Sequence, residues 1–183
     1  VHHLWFSAED YADKGTFIKW NPAVKNASDR SALWAALNDD RIDVLATDHA
    51  PHTLEEKSNV YTKAPSGGPL VQHALLALLT AAKQGKISLE KLVEKACHNP
   101  AILFQVAKRG YLREGYCADL VMVDLDRTTK VTKEGLLYQC GWSPFEGTTF
   151  DAVVDRTWVN GKTVYMNGKV IEVDAAQQLS FDR

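Results

Sequence analysis

The chain has 183 residues, 45% of them hydrophobic, enough to bury a core. Its 21 Lys and Arg against 23 Asp and Glu leave a formal net charge of -2, spread along the chain, so neither nucleic acid nor an anionic membrane is expected as a partner. No apolar run approaches the roughly 20 residues of a membrane helix, and no basic segment followed by an apolar one opens the chain.

Cys97, Cys117 and Cys140 form no CxxC pair and are odd in number, which predicts reduced thiols and a cytoplasmic location. Val1-His2-His3-Leu4-Trp5-Phe6 begins within an apolar run and without Met, so earlier elements of the same domain are expected before it.

In chain order, residues 29–37 are amphipathic and follow Ser28, an expected N-cap, and residues 42–47 (Ile-Asp-Val-Leu-Ala-Thr) read as a short strand. Residues 55–69 form a loop long enough to suggest a function. Residues 70–84 carry Leu and Ala at helical spacing and stop at Gly85. Ser88 should cap a helix to about residue 96, and Asn99-Pro100 should open another to about residue 108. After Gly110 the pattern changes to short β-type runs: 120–123, 152–154, a hairpin over 158–165 with Asn160-Gly161 at its turn, and a second turn at Asn167-Gly168.

Chemistry concentrates after the 42–47 run, in Asp48, His49 and His52. A carboxylate at the end of a strand can bind a metal and move a proton, and a histidine four residues on can bind a carbonyl or an anion. On the residues alone the cluster reads more readily as a capping or loop-bracing network than as a metal or catalytic site. Adjacent side chains on a strand point to opposite faces, so at most one of His2 and His3 is expected to serve a site.

Thr47-Asp48-His49-Ala50-Pro51-His52, then Glu55-Glu56-Lys57 and Lys63-Ala64-Pro65-Ser66-Gly67-Gly68, resemble the signature of the dihydroorotases, amidohydrolases of the type that includes most bacterial enzymes and a domain of the animal multifunctional protein. Val1-His2-His3-Leu4 resembles the family's "PHHL" strand and Lys19-Trp20-Asn21-Pro22 its "NPPLR" element. Residues 115–121 and 142–147 resemble its tail. The resemblance implies an α/β fold: the C-terminal portion of a TIM-like (β/α)8 metal-dependent hydrolase barrel over 1–110, and part of a small β-sandwich over 111–183.

It also implies Asp48 as zinc ligand and proton shuttle, and Asn21, His52, Ser66 and Gly67 as substrate contacts. The family's His-x-His pair, its bridging carboxylated Lys, its two further metal histidines and its carboxylate-binding Arg are placed before Val1. Asp48 by itself cannot hold a catalytic zinc, which takes about three protein ligands. Lys25 and Ala23 depart from "NPPLR", and Gly68-Pro69 varies the loop.

The activity implied is reversible hydrolysis of (S)-dihydroorotate to N-carbamoyl-L-aspartate in pyrimidine synthesis, this chain being an incomplete, inactive piece of the enzyme. Allantoinase, dihydropyrimidinase and a non-catalytic partner of aspartate transcarbamoylase are the alternatives. Assembly with further copies of the chain is expected, because a barrel short of strands leaves open edges.

Overall fold

A computed structural model describes residues 1–182. Helices occupy the first part: α1 (His2–Trp5), α2 (Tyr11–Lys14), α3 (Ala27–Asn38), α4 (Leu54–Lys57), α5 (Ala74–Lys83), α6 (Leu89–Val93) and α7 (Asn99–Leu103). Strands follow: β1 (Leu120–Asp124), β2 (Thr129–Lys130), β3 (Thr149–Phe150), β4 (Val153–Val159), β5 (Lys162–Met166) and β6 (Lys169–Val170). They form an antiparallel sheet in the order β1-β4-β5-β6 and a separate β2-β3 ribbon.

Helix α3 is the expected one, begun slightly earlier. Asn26 rather than Ser28 is its N-cap, and the Asp29 carboxylate accepts from the Asn26 N–H at 3.1 Å. Helix α5 is buried nearly all round and closes through Lys86 N–H to Ala81 C=O at 3.0 Å, a Schellman closure just past Gly85. Ser88 caps α6 as expected, its hydroxyl accepting from the Lys91 N–H.

Three local expectations are corrected. Among the described residues, 42–47 join no strand ladder: Leu45 N–H donates to Lys95 C=O and Ala46 C=O accepts from the Val1 nitrogen. Val1-His2-His3-Leu4 is not a strand either, because His2–Trp5 forms a turn of helix with Phe6 N–H bonded to His2 C=O. The two helices expected over 88–108 run together through a π-turn at Glu94–His98 and end at Leu103. Beyond Leu103, Ala107 N–H pairs with Ser180 C=O and Asp182 N–H with Gln105 C=O, so pairing with the C-terminal segment replaces further helix.

The hairpin matches its signal. Asn160 and Gly161 both have positive φ, 49° and 77°, the combination that a two-residue turn between twisted strands requires.

One core links the helices to the strand region. Phe145, Phe150 and Ala152 are fully buried with Ile18 and Leu70, and Trp5 lies edge-on to both phenylalanines at 5.6 and 5.3 Å. His73, at the start of α5, is 4% exposed. Its Nδ1 lies 3.3 Å from the Tyr138 hydroxyl and 3.4 Å from the Ser143 hydroxyl. Burial pushes the imidazole down to about 4 from its usual 6.5.

The folded state therefore keeps His73 neutral while an unfolded chain protonates it. The resulting stability is fully present above pH 6.5 and is lost as pH falls toward 4, at about 1.4 kcal/mol per pH unit. Urea titrations at pH 7 and pH 5 should show this loss in the unmodified protein and a smaller one in His73→Gln. Equal losses in both would remove His73 from the account.

Candidate active site

Two neighbouring loops build the site. Thr53 caps α4, accepting from the Glu56 N–H while the Glu56 carboxylate accepts from the Thr53 N–H at 2.8 Å, and this box ends the Asp48–His52 loop. Across from it runs the 63–68 loop. Ala50 N–H donates to Gly68 C=O at 3.3 Å, and His49 forms a parallel bridge with Gly68.

Gly67 sits at φ +119° and buried, where a Cβ would lie 2.5 Å from the Ala50 carbonyl oxygen. Only glycine permits this approach. Gly68 is packed less closely, a Cβ there lying 3.0 Å from the Trp20 ring and 3.2 Å from the Trp142 ring.

The structure brings His52, Ser66 and Gly67 together. His52 Nε2 lies 3.1 Å from the Ser66 carbonyl oxygen, its Nδ1 lies 3.7 Å from the Glu56 carboxylate, and its own C=O accepts from Trp142 Nε1–H at 2.8 Å. Gly67 N–H is already engaged by Lys19 C=O at 2.9 Å. The Ser66 N–H and hydroxyl have no hydrogen bond among the described residues. The Lys19 bond also sets the 63–68 loop beside the segment that carries Asn21, which is exposed.

Asp48 lies on the other side of this junction, exposed, with φ +51°. It lines a cavity of about 320 Å³ with His2, His3, Leu4, Pro22, Leu33 and Leu45; Asn21 precedes Pro22 but is not among the lining residues. No hydrogen bond joins the Asp48 carboxylate to another described side chain. The His49 ring is engaged elsewhere, its Nδ1 accepting from the Leu70 N–H at 3.0 Å.

Sequence reasoning gives His2 and His3 little part in the site, because it treats them as neighbours on a strand. On a helical turn their rings lie 4.1 Å apart, and both line the cavity with Asp48. His2 stacks on Trp20 at 4.5 Å. Its Nδ1 and the Nε2 of His3 are buried with no hydrogen-bond partner among the described residues.

Burial pushes His2 down to about 3 and also lowers His3, where the Asp48 charge opposes the shift. Neutral imidazoles with an unpartnered nitrogen beside a carboxylate are the donor types that a zinc ion takes. The fit is to part of a metal site, because among the described residues no group of three or more His, Cys, Asp or Glu side chains could hold an ion together.

A family model described as "Amidohydrolase family" matches residues 12–164, and the chain belongs to that family. It is 42% identical over 175 residues to a dihydroorotase of Halobacterium salinarum, covering 94% of this chain and 41% of that protein. It is 35% identical over 170 residues to a dihydroorotase of Pyrococcus furiosus, covering 93% of this chain and 39% of that one. The chain thus spans about two fifths of the length of these curated relatives.

Among solved structures, an L-hydantoinase (dihydropyrimidinase) of Arthrobacter aurescens superposes with a TM-score of 0.88 at 33% identity, over 93% of this chain and 39% of that chain. A D-hydantoinase superposes at 0.85 with 23% identity and speaks to the fold alone. The fold is accordingly part of the amidohydrolase barrel architecture with its accompanying strands, and the family's chemistry is hydrolytic.

Proposed function

We propose that the protein containing this chain is a zinc-dependent dihydroorotase, which reversibly hydrolyses (S)-dihydroorotate to N-carbamoyl-L-aspartate for pyrimidine synthesis. The observation that carries this reading is Asp48 lining one cavity with His2 and His3, and the same loop carrying His52 against the Ser66 carbonyl. Relatives bearing that name at 42% and 35% identity support it.

In this reading Asp48 and an imidazole of the His2-His3 pair contribute part of the metal's ligand set, and the remaining ligands come from outside this chain. When bound, zinc supplies Lewis-acid activation of the ring amide and of water. Asp48 accepts a proton from the attacking water and returns it to the ring nitrogen as the C–N bond breaks. His52 and the amide of Asn21 hold the ring's carbonyl and imide edges, while the Ser66 N–H and the buried Gly67 backbone shape the cradle. The same reading includes residues 1–110 as barrel and 111–183 as β-sandwich, a cytoplasmic location and assembly with further copies of the chain.

A second reading, a hydantoinase or dihydropyrimidinase, is favoured by the close superposition on the Arthrobacter enzyme. Assays of the full-length protein with dihydroorotate, dihydrouracil, hydantoin and allantoin separate the two. Dihydroorotate should be hydrolysed with the highest kcat/KM. A preference for dihydrouracil or hydantoin would replace the first reading by the second.

A further inference from the structure

Lys57 closes the Glu55-Glu56-Lys57 run, and the reaction as described makes no use of it. Its side chain is 0% exposed. The ammonium donates to Gly67 C=O at 2.8 Å, to Pro65 C=O at 3.0 Å and, more weakly, to Lys19 C=O at 3.4 Å. It lies 5.7 Å from the centre of the Trp142 ring. Among the described residues no carboxylate forms an ion pair with it.

An ammonium buried without an anion is unfavourable unless its donors are satisfied, and here three donors meet three carbonyl oxygens. Burial, and then the like charge of Lys19, pushes it down to about 8, so it remains largely charged at neutral pH. Two of the three carbonyls flank Ser66. The third belongs to Lys19, two residues before Asn21, and also accepts from the Gly67 N–H.

We propose that Lys57 is a positioning residue, whose ammonium ties Pro65 and Gly67 to Lys19 and so sets Ser66, the His52 ring and Asn21 relative to one another. The geometry stands by itself, and its effect on dihydroorotate rests on the proposed function. The neighbouring lysine plays a different part. Lys19 holds the outer side of the loop through Tyr61 C=O and Ala64 C=O, both at 2.6 Å, and is not enclosed.

The test is Lys57→Met in the full-length, metal-loaded protein, with amide hydrogen exchange of residues 63–68 read without substrate and KM and kcat read with dihydroorotate. Exchange should quicken in 63–68 while the rest of the fold and the metal content hold. KM should rise by about tenfold or more, with a smaller change in kcat. Unchanged exchange and KM, or a fall in kcat alone, overturns the proposal.

If the unmodified protein does not turn over dihydroorotate while exchange still quickens in the variant, the positioning stands and the substrate reading fails. Lys57→Gln, which leaves a polar group in the cavity, serves if Lys57→Met does not fold. Unfolding of both makes Lys57 a folding requirement and overturns the proposal.

Discussion

Asp48→Ala in the full-length protein should lower kcat for dihydroorotate by about a thousandfold, the range expected when a positioned proton carrier is removed. Metal analysis belongs with the assay, because Asp48 shares the cavity with His2 and His3 and its loss should also reduce zinc retention. Asp48→Asn separates the two roles: it keeps the size and one oxygen donor but cannot carry the proton, so zinc should be held better than in Asp48→Ala with no recovery of rate. The exposure of Asp48 makes this a clean experiment, since no hydrogen bond to another described side chain is lost with it. Near-normal hydrolysis by either variant with metal bound would remove Asp48 from the reaction.

Gly67→Ala should be the most damaging small substitution in the cradle. At φ +119° an L-residue is strained, and its Cβ would stand 2.5 Å from Ala50 C=O, which cannot retreat without moving the loop that carries Asp48 and His52. The strain costs on the order of 1–3 kcal/mol. Displacing a substrate contact by an ångström is worth about a hundredfold in rate. Catalytic efficiency with dihydroorotate should fall by about that factor, together with a lower Tm. Wild-type kinetics in Gly67→Ala would mean that the 63–68 loop does not approach the substrate.

What could be read in the sequence follows from the range of the forces involved. The Asn160-Gly161 turn, the Ser88 cap and the closure at Gly85 depend on a few adjacent residues, and they stand where their signals place them. Residues 42–47 have the apolar texture of a strand, but a strand exists only through neighbours, and Leu45 and Ala46 bond instead to Lys95 and Val1. The amphipathic beginning of the chain was equally ambiguous: the same His-His pair is split between two faces on a strand and shares one cavity on a helical turn.

For the candidate site, ordered motifs point to Asn21, Asp48, His52, Ser66 and Gly67, because each motif is contiguous. The bracing around them was not legible. Lys57 falls in the 55–69 stretch that reads as a loop, and only the folded chain shows three carbonyls converging on it. Trp142, ninety residues from His52 in sequence, reaches its carbonyl at 2.8 Å. Tyr138 similarly meets His73 across 65 residues. Contacts of that separation leave no periodic or spacing signal.

The most direct test of the central claim is a crystal structure of the full-length, metal-loaded protein with dihydroorotate bound. The Asp48 carboxylate should lie on the metal and within hydrogen-bond reach of the ring nitrogen, with the ring between Asn21, His52 and the Ser66–Gly67 backbone. A metal bound without Asp48, or a ring bound away from the 63–68 loop, would contradict it.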